Sequence, residues 1–128
     1  MAVSAEQQDT AGHSEAWTAT ALLGRVGGDA EIARELARLF INECPRMLEA
    51  IRTSVASQSP VEIRRSAHLL KGSVCNFTET GAAVAALELE VIGREERVND
   101  APAALARLEQ ELEALLPQLQ AFESESAA

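Results

Sequence analysis

One segment of this sequence has the apolar spacing of a single buried helical stripe. Its five apolar positions follow one another at intervals of four, three, four and three residues: Ile63, Ala67, Leu70, Val74 and Phe77. Because an α-helix completes a turn every 3.6 residues, this spacing places all five side chains on one side of a helix. We therefore expect a helix that packs this side against a protein core.

Helical signals recur along the rest of the chain, and no segment predicts a strand. The expected helices run from about 15 to 25, 30 to 57, 60 to 77, 78 to 96 and from 102 onward. Gly27 and Gly28 should end the first helix, Asp29 should cap the second, and Thr78 or Thr80 should open the fourth. Inside the second helix, Pro45 is expected to cause a kink, because its ring removes one backbone hydrogen bond.

The second helix is expected to bury six residues: Ile32, Leu36, Phe40, Met47, Ile51 and Val55. In the fourth helix, the inward stripe is small and should allow close approach of the preceding helix: Ala82, Ala86, Leu89 and Gly93. A second apolar line, Val84, Leu87 and Val91, fits a wide core better than a partner surface. Several glutamates are expected to form solvated helix faces: Glu88, Glu90, Glu95, Glu96, Glu109, Glu111 and Glu113.

Length and composition favour one all-helical domain. The chain has 128 residues, of which 47% are hydrophobic, mainly Ala and Leu, and only 3% are aromatic. Strand-forming residues are therefore scarce, and one core is as much as this length can bury. We expect an all-α fold: an antiparallel four-helix bundle with an additional short N-terminal helix. The bundle should cover residues 15–122, between a disordered N-terminal tail (1–14) and a C-terminal tail (123–128).

Charge and motif content exclude several functions. A net charge of −9 argues against nucleic-acid binding, and no apolar run is long enough to cross a membrane. Because no basic and hydrophobic signal opens the chain, a cytoplasmic location is expected. Two cysteines, Cys44 and Cys75, without ligand-like spacing predict reduced thiols and neither a metal site nor a bound cofactor. Glycine-rich phosphate loops and catalytic triads are also missing, so no ATP-binding or kinase activity is expected.

One histidine is expected to be exposed in the middle of the third helix. His68 lies about 140° around the helix from the centre of the apolar stripe. Lys71 and Gly72 follow it by three and four residues, and Arg64 and Arg65 precede it, so all share one surface neighbourhood. A lone surface histidine usually has no special role. Gly72, however, destabilises the helix by about 1 kcal/mol relative to alanine. We therefore expect that the missing side chain allows close approach either of another protein or of a neighbouring helix.

The string Ala67-His68-Leu69-Leu70-Lys71-Gly72-Ser73, with Asn76-Phe77 and Leu89-Glu90 further on, resembles the core motif of histidine-containing phosphotransfer (HPt) domains. The resemblance covers residues 15–122. It departs from the family at Thr78, where many members have glycine, and at Gly81, which appears early in the next helix. Both departures concern the helix junction and leave the His68 surface unchanged.

This resemblance implies a function and assigns roles to residues. His68 would accept a phosphoryl group from a receiver-domain aspartate and pass it to another receiver in a two-component relay. Lys71 would offset the phosphoryl charge with weaker support from Arg64 and Arg65, and Gly72 would admit the receiver. Leu69 is expected as a docking contact and Ser73 as a local hydrogen-bonding residue. The partners would be receiver domains, and possibly a sensor kinase, which bind a monomer transiently, with the divalent metal on the receiver.

Two alternatives remain open at this stage. The chain could be the phosphoacceptor domain of a larger hybrid or chemotaxis-type histidine kinase, phosphorylated directly by a catalytic domain. It could instead be a helical interaction module that binds a target and transfers no phosphate. The sequence does not decide between these functions.

Overall fold

The computed structural model of this chain describes residues 19–125, and within that range every regular element is helical. The five α-helices are α1 (Ala19–Arg25), α2 (Ala30–Ala56), α3 (Pro60–Val74), α4 (Ala82–Arg94) and α5 (Ala101–Glu125). A short 3-10 turn, Val98–Asp100, precedes α5. No helix in residues 19–125 combines the length and apolarity needed to span a membrane.

Four of these helices form a closed bundle. Helix α3 packs against α2 and α4, and α5 packs against the same two helices from the other side, with the most extensive contact between α3 and α4. The short α1 packs beside α2, and its Arg25 forms an ion pair of 2.9 Å with Glu79 in the turn between α3 and α4. The expected all-α, four-helix bundle with a short extra helix at the N-terminal side is confirmed.

Local signals explain where α2 and α3 begin. Gly27 and Gly28 form the turn after α1 with φ of +68° and +82°, values that favour glycine. Asp29 then caps α2 by accepting the Ile32 N–H at 3.1 Å. Ser59 caps α3 in the same way, immediately before Pro60. These starts agree with the sequence-based prediction.

The fourth helix begins later than expected. Neither Thr78 nor Thr80 caps it; the helix starts at Ala82 after Gly81, which has a φ of +49°. Thr78 is buried, and its Oγ1 accepts the Thr80 N–H at 3.1 Å. The threonine hydroxyl therefore stabilises the turn between α3 and α4.

The core includes the expected stripe on α3 and the leucines of α5, together with buried residues of α2 and α4. Ile63, Ala67, Leu70 and Val74 are fully buried. Helix α3 ends at Val74, but Phe77 is also buried in the following turn, where its ring centroid lies 5.2 Å from that of Phe40 on α2. The α5 leucines that are fully or almost fully buried are Leu108, Leu112, Leu115 and Leu119.

Three apolar residues were placed wrongly by the sequence pattern. Ile32 is 49% exposed, and its neighbour Ala33 takes the inward position on α2. Val84 and Leu87 are 43% and 42% exposed, so the second apolar line of α4 is not part of the core. At these places alanines take the inward positions, Ala33 on α2 and Ala85 and Ala86 on α4, and the larger side chains beside them lie at the surface.

Helix α2 runs through Pro45 to Ala56, close to the expected end at about 57. Helix α5 continues through Pro117 to Glu125, three residues into the segment expected as a tail. The part of the first helix predicted from Glu15, including Trp17, lies outside the described residues, and α1 is described from Ala19.

The small stripe on α4 allows α3 and α4 to approach at backbone distance. A Cβ at Gly93 would lie 2.6 Å from the Arg64 backbone nitrogen and 2.7 Å from the Pro60 carbonyl oxygen, which is closer than real Cβ atoms come. Ala82, Ala86 and Leu89 on the same stripe are buried. The predicted close approach of α4 to the helix that carries His68 is therefore confirmed.

This close approach predicts opposite effects for alanine at two glycines. Gly93→Ala should lower the free energy of unfolding by about 1–3 kcal/mol, because its new methyl group would meet backbone atoms that cannot move aside. Gly72→Ala should raise it by about 0.5–1 kcal/mol, because alanine favours helix and no atom lies within 4 Å of the added Cβ. Urea unfolding measures both variants, and equal effects would contradict the packing described here.

Candidate functional site

His68 projects into solvent from the middle of α3. Its side chain is 62% exposed, while Ala67, one residue before it, and Leu70, two residues after it, are fully buried. The apolar stripe fixes the rotation of α3 about its own axis and so turns His68 outward. The predicted exposure of this imidazole is confirmed.

A glutamate on α4 holds the imidazole. Nδ1 of His68 lies 3.1 Å from Oε2 of Glu90, whose side chain is only 10% exposed. The expectation that Glu90 belongs to a solvated face is therefore wrong. It lies four residues after Ala86 and three before Gly93, so it shares their side of α4 and faces α3. That spacing was the signal in the sequence that could have identified it.

Two cations complete the contacts of Glu90. The Lys71 ammonium lies 2.7 Å from Oε1, an ion pair without the alignment of a good hydrogen bond, and an Arg94 guanidinium nitrogen lies 3.5 Å from Oε2. Lys71 was expected to reach the imidazole directly. The structure places its ammonium on the carboxylate instead, so Lys71 and His68 are linked through Glu90.

The surroundings of Glu90 favour its ionised form. Burial would raise the pKa of this carboxyl group, but the contacts with Lys71 and His68 outweigh burial and lower the pKa from its ordinary value. Glu90 is therefore a carboxylate at neutral pH. Since a carboxylate can only accept hydrogen bonds, the shared proton resides on Nδ1 of His68.

Because the pKa of Glu90 is lowered in the folded chain, part of the free energy of unfolding depends on pH. A carboxyl group with a lower pKa in the folded state than in the unfolded chain stabilises the fold fully above its ordinary value of 4.5, and this contribution disappears as the pH falls through the folded pKa. The difference in free energy of unfolding between the wild type and Glu90→Gln should therefore shrink as the pH falls below the ordinary value of 4.5. Urea unfolding at a series of pH values measures it, and a difference that grows over this range would contradict the assignment.

The other predicted residues fall into two groups. Arg64, Arg65, Leu69 and Gly72 are exposed on the same side of α3 as His68, and Leu69 is 61% exposed. Ser73 is half-buried on another side, where its hydroxyl contacts the Met47 sulfur at 3.8 Å. Ser73 therefore packs α3 against α2 and makes no contact with Lys71 or His68.

Gly72 borders open space. No atom outside its own stretch of helix lies within 4 Å of the position that a Cβ would occupy, so packing inside the described chain does not explain the glycine. The expectation of tight packing against a neighbouring helix at Gly72 is therefore not met within residues 19–125.

Within residues 19–125, neither the cysteines nor a group of possible metal ligands indicates a second functional site. Cys44 is buried, which raises the pKa of its thiol, and both cysteines are unpaired. Among residues 19–125, no group of three or more His, Cys, Asp or Glu side chains is placed to hold a metal ion.

Comparisons with known proteins identify the family. The crystal structure of histidine-containing phosphotransfer protein B (HptB) from Pseudomonas aeruginosa PAO1 superposes with a TM-score of 0.79 and 18% sequence identity, covering 88% of this chain and 97% of that one. At this identity the similarity shows a shared fold. No curated protein sequence gave a significant match.

A family model adds evidence from the sequence. The model of the Hpt domain matches residues 35–118, which are 84 of the 128 residues and include α3 with His68 and α4 with Glu90. The chain therefore belongs to the Hpt domain family, whose members carry out histidine phosphotransfer in two-component signalling.

Proposed function

We propose that His68 accepts a phosphoryl group on Nε2 from the aspartyl phosphate of one receiver domain and passes it to the aspartate of another. The observation that carries this proposal is the hydrogen bond between Nδ1 and Glu90, together with the exposure of the ring. With the proton on Nδ1, the lone pair of the neutral imidazole is on Nε2. Within residues 19–125, Nε2 makes no hydrogen bond.

The transfer balances without loss of a proton from the histidine. The Nε2 lone pair forms a bond to phosphorus while the bond from phosphorus to the aspartyl oxygen breaks, and that oxygen keeps the electron pair. The imidazole, still protonated on Nδ1, then carries a positive charge. Glu90 offsets this charge at 3.1 Å, and Lys71 and Arg94 keep the carboxylate in place.

Onward transfer reverses these steps. The carboxylate of the second receiver attacks phosphorus, the bond to Nε2 breaks, and its electron pair returns to the ring, which becomes neutral again. Phosphoryl transfer passes through a loose transition state in which positioning and charge neutralisation provide most of the catalysis. In this proposal the receivers supply the divalent metal and the acidic residues, and this chain supplies the oriented imidazole without a cofactor of its own.

Gly72 and Leu69 provide the surface on which a receiver would dock. Gly72 lies one turn after His68 and leaves backbone uncovered, while Leu69 offers an exposed apolar contact beside the ring. A receiver must bring its phosphorylated aspartate to the imidazole, so its loops have to approach this part of α3 closely.

Filling the space at Gly72 should therefore block transfer without unfolding the chain. Gly72→Arg should lower the rate of phosphoryl transfer from a receiver by about 10-fold or more, because the new side chain occupies docking space. Gly72→Ala, the matched control, should transfer far faster than the arginine variant. Rapid-quench assays with equal receiver concentrations measure both rates, and wild-type transfer by Gly72→Arg would contradict this role of Gly72.

A radiolabel transfer assay tests the proposed function. The purified chain is mixed with receivers from the same source, each phosphorylated beforehand, and should acquire a label that is labile in acid and stable in base. A second arm replaces the receiver with sensor-kinase cores and ATP, which separates relay from direct phosphorylation by a kinase. No label from any receiver would contradict the proposal, and label from a kinase core alone would favour the phosphoacceptor-domain alternative.

A further inference from the structure

The ammonium group of Lys71 already forms an ion pair with another residue. Lys71 is only 26% exposed, and its ammonium lies 2.7 Å from Oε1 of a carboxylate that is itself 10% exposed. Moving the ammonium to a phosphoryl group on Nε2 would leave a nearly buried, ionised Glu90 without its closest cation. Such a separation is costly in a poorly solvated environment.

Arg64 is a second cation near His68, and it could bind a phosphoryl group without breaking an ion pair of the described residues. Arg64 is exposed and forms no ion pair within residues 19–125, in contrast to Arg65, whose guanidinium lies 2.9 Å from Glu62. Arg64 also lines a cleft of about 290 Å³ together with His68 and Glu90. The remaining residues that line this cleft are Arg65 and Leu69. The cleft is therefore open, adjacent to the imidazole, and bordered by one unpaired guanidinium.

The direction of the side chains brings the imidazole toward Arg64. Side chains on an α-helix lean toward its N-terminus, so the His68 ring lies over the preceding turn, which contains Arg64. The backbone of Lys71 lies one turn further toward the C-terminus, and its ammonium reaches back to Glu90, on the Nδ1 side of the ring. The backbone of Arg64 is also fixed against α4, because Gly93 packs directly on its nitrogen. Arg64 thus combines a fixed backbone with a free guanidinium.

We infer that Arg64 is the residue that binds the phosphoryl oxygens on His68, and that Lys71 is a positioning residue that acts through Glu90. This inference rests on the proposed transfer at His68. It assigns each of the two cations to one nitrogen of the imidazole. Lys71 holds the carboxylate that orients Nδ1. Arg64 offers a planar pair of N–H donors to the group on Nε2, a geometry that suits phosphoryl oxygens.

The experiment uses four variants of the full chain: Arg64→Gln, Arg64→Lys, Lys71→Gln, and Arg65→Gln as the matched control. Two quantities are measured for each: the rate of phosphoryl transfer from a phosphorylated receiver, and the pKa of the phosphoryl group on His68, followed by ³¹P NMR. A cation that contacts the phosphoryl oxygens lowers the pKa of that group, whereas a residue that only supports the fold does not change it.

Arg64→Gln should slow transfer about 10-fold or more and raise the pKa of the phosphoryl group, and Arg64→Lys should restore part of both. Lys71→Gln should slow transfer while leaving the pKa of the phosphoryl group close to wild type. Arg65→Gln should change both quantities less than Arg64→Gln does, since the Arg65 guanidinium is paired with Glu62.

Two results would overturn the inference while leaving the proposed function intact. One is an Arg64→Gln variant that behaves like Arg65→Gln. The other is a Lys71→Gln variant that raises the pKa of the phosphoryl group as much as Arg64→Gln does. Failure of the wild-type chain to accept phosphate would instead refute the proposed function, and this inference with it.

Discussion

Replacement of His68 by glutamine should abolish phosphoryl acceptance. Glutamine has no nucleophilic nitrogen that can form a phosphoramidate under these conditions, so no label should remain on the chain after incubation with a phosphorylated receiver. The fold should be retained, because the side chain is 62% exposed and surface substitutions usually change the free energy of unfolding by less than about 0.5 kcal/mol. Labelling followed by gel electrophoresis measures acceptance, and circular dichroism verifies the helical content.

The chain provides its own control for this substitution. It contains one other histidine, His13, outside the 35–118 segment that matches the Hpt domain model. His13→Gln should be labelled as fully as the wild type. Persistent labelling of His68→Gln, or loss of label in His13→Gln, would assign the phosphoryl group to another residue.

Glu90→Gln should slow phosphoryl transfer by about 10- to 100-fold. Hydrogen bonds to charged groups contribute about 1.5–3 kcal/mol, which corresponds to this range of rates. Two effects combine in the variant. The amide cannot offset the positive charge that develops on the ring, and its NH₂ group can donate to Nδ1, which would leave the proton on Nε2 and remove the nucleophilic lone pair. Single-turnover transfer from a receiver measures the rate.

A second glutamate on the same helix serves as the matched control. Glu88 is more exposed than Glu90 and pairs at 3.6 Å with Arg107 on α5, away from the imidazole. Glu88→Gln makes the same chemical change and the same change in net charge. It should transfer at close to the wild-type rate. Equal loss of rate in the two variants would indicate an effect of overall charge, and an unchanged rate in Glu90→Gln would refute the role given to this carboxylate.

The exposure of His68 could be predicted from the sequence because it depends on one helix alone. The spacing from Ile63 to Val74 defines the buried side of α3, and every other position on that helix follows from its 3.6-residue period. The structure agrees with this geometry at Leu70, which is buried, and at His68, which is not. Such reasoning needs no knowledge of neighbouring helices.

The role of Glu90 could not be predicted in the same way, because it depends on the distance between two helices. The carboxylate reaches Nδ1 only where α4 lies against the backbone of α3, and Gly93 permits that approach at Arg64 and Pro60. The small stripe places Glu90 on the side of α4 that faces α3, but it did not show that the two helices lie close enough for this carboxylate to reach Nδ1. The apparent partnership of Lys71 with His68 was misjudged for the same reason.

Core positions on α2 and α4 illustrate a second limit. Hydrophobicity alone ranks Ile32 above Ala33, and Val84 above Ala85, yet the structure buries the alanine of each pair. Where two helices approach closely, the space between them suits small side chains, although leucines and isoleucines fill the rest of the core. This preference depends on interhelical distance, which the apolar pattern does not contain.

The position of the phosphoryl group on the imidazole ring tests the central claim most directly. The wild-type chain, labelled with ¹⁵N at histidine and phosphorylated by a receiver, can be examined by NMR for coupling between phosphorus and each ring nitrogen. The hydrogen bond from Nδ1 to Glu90 predicts phosphorylation on Nε2, with the proton retained on Nδ1. Phosphorylation on Nδ1 would require that bond to break and would contradict the account.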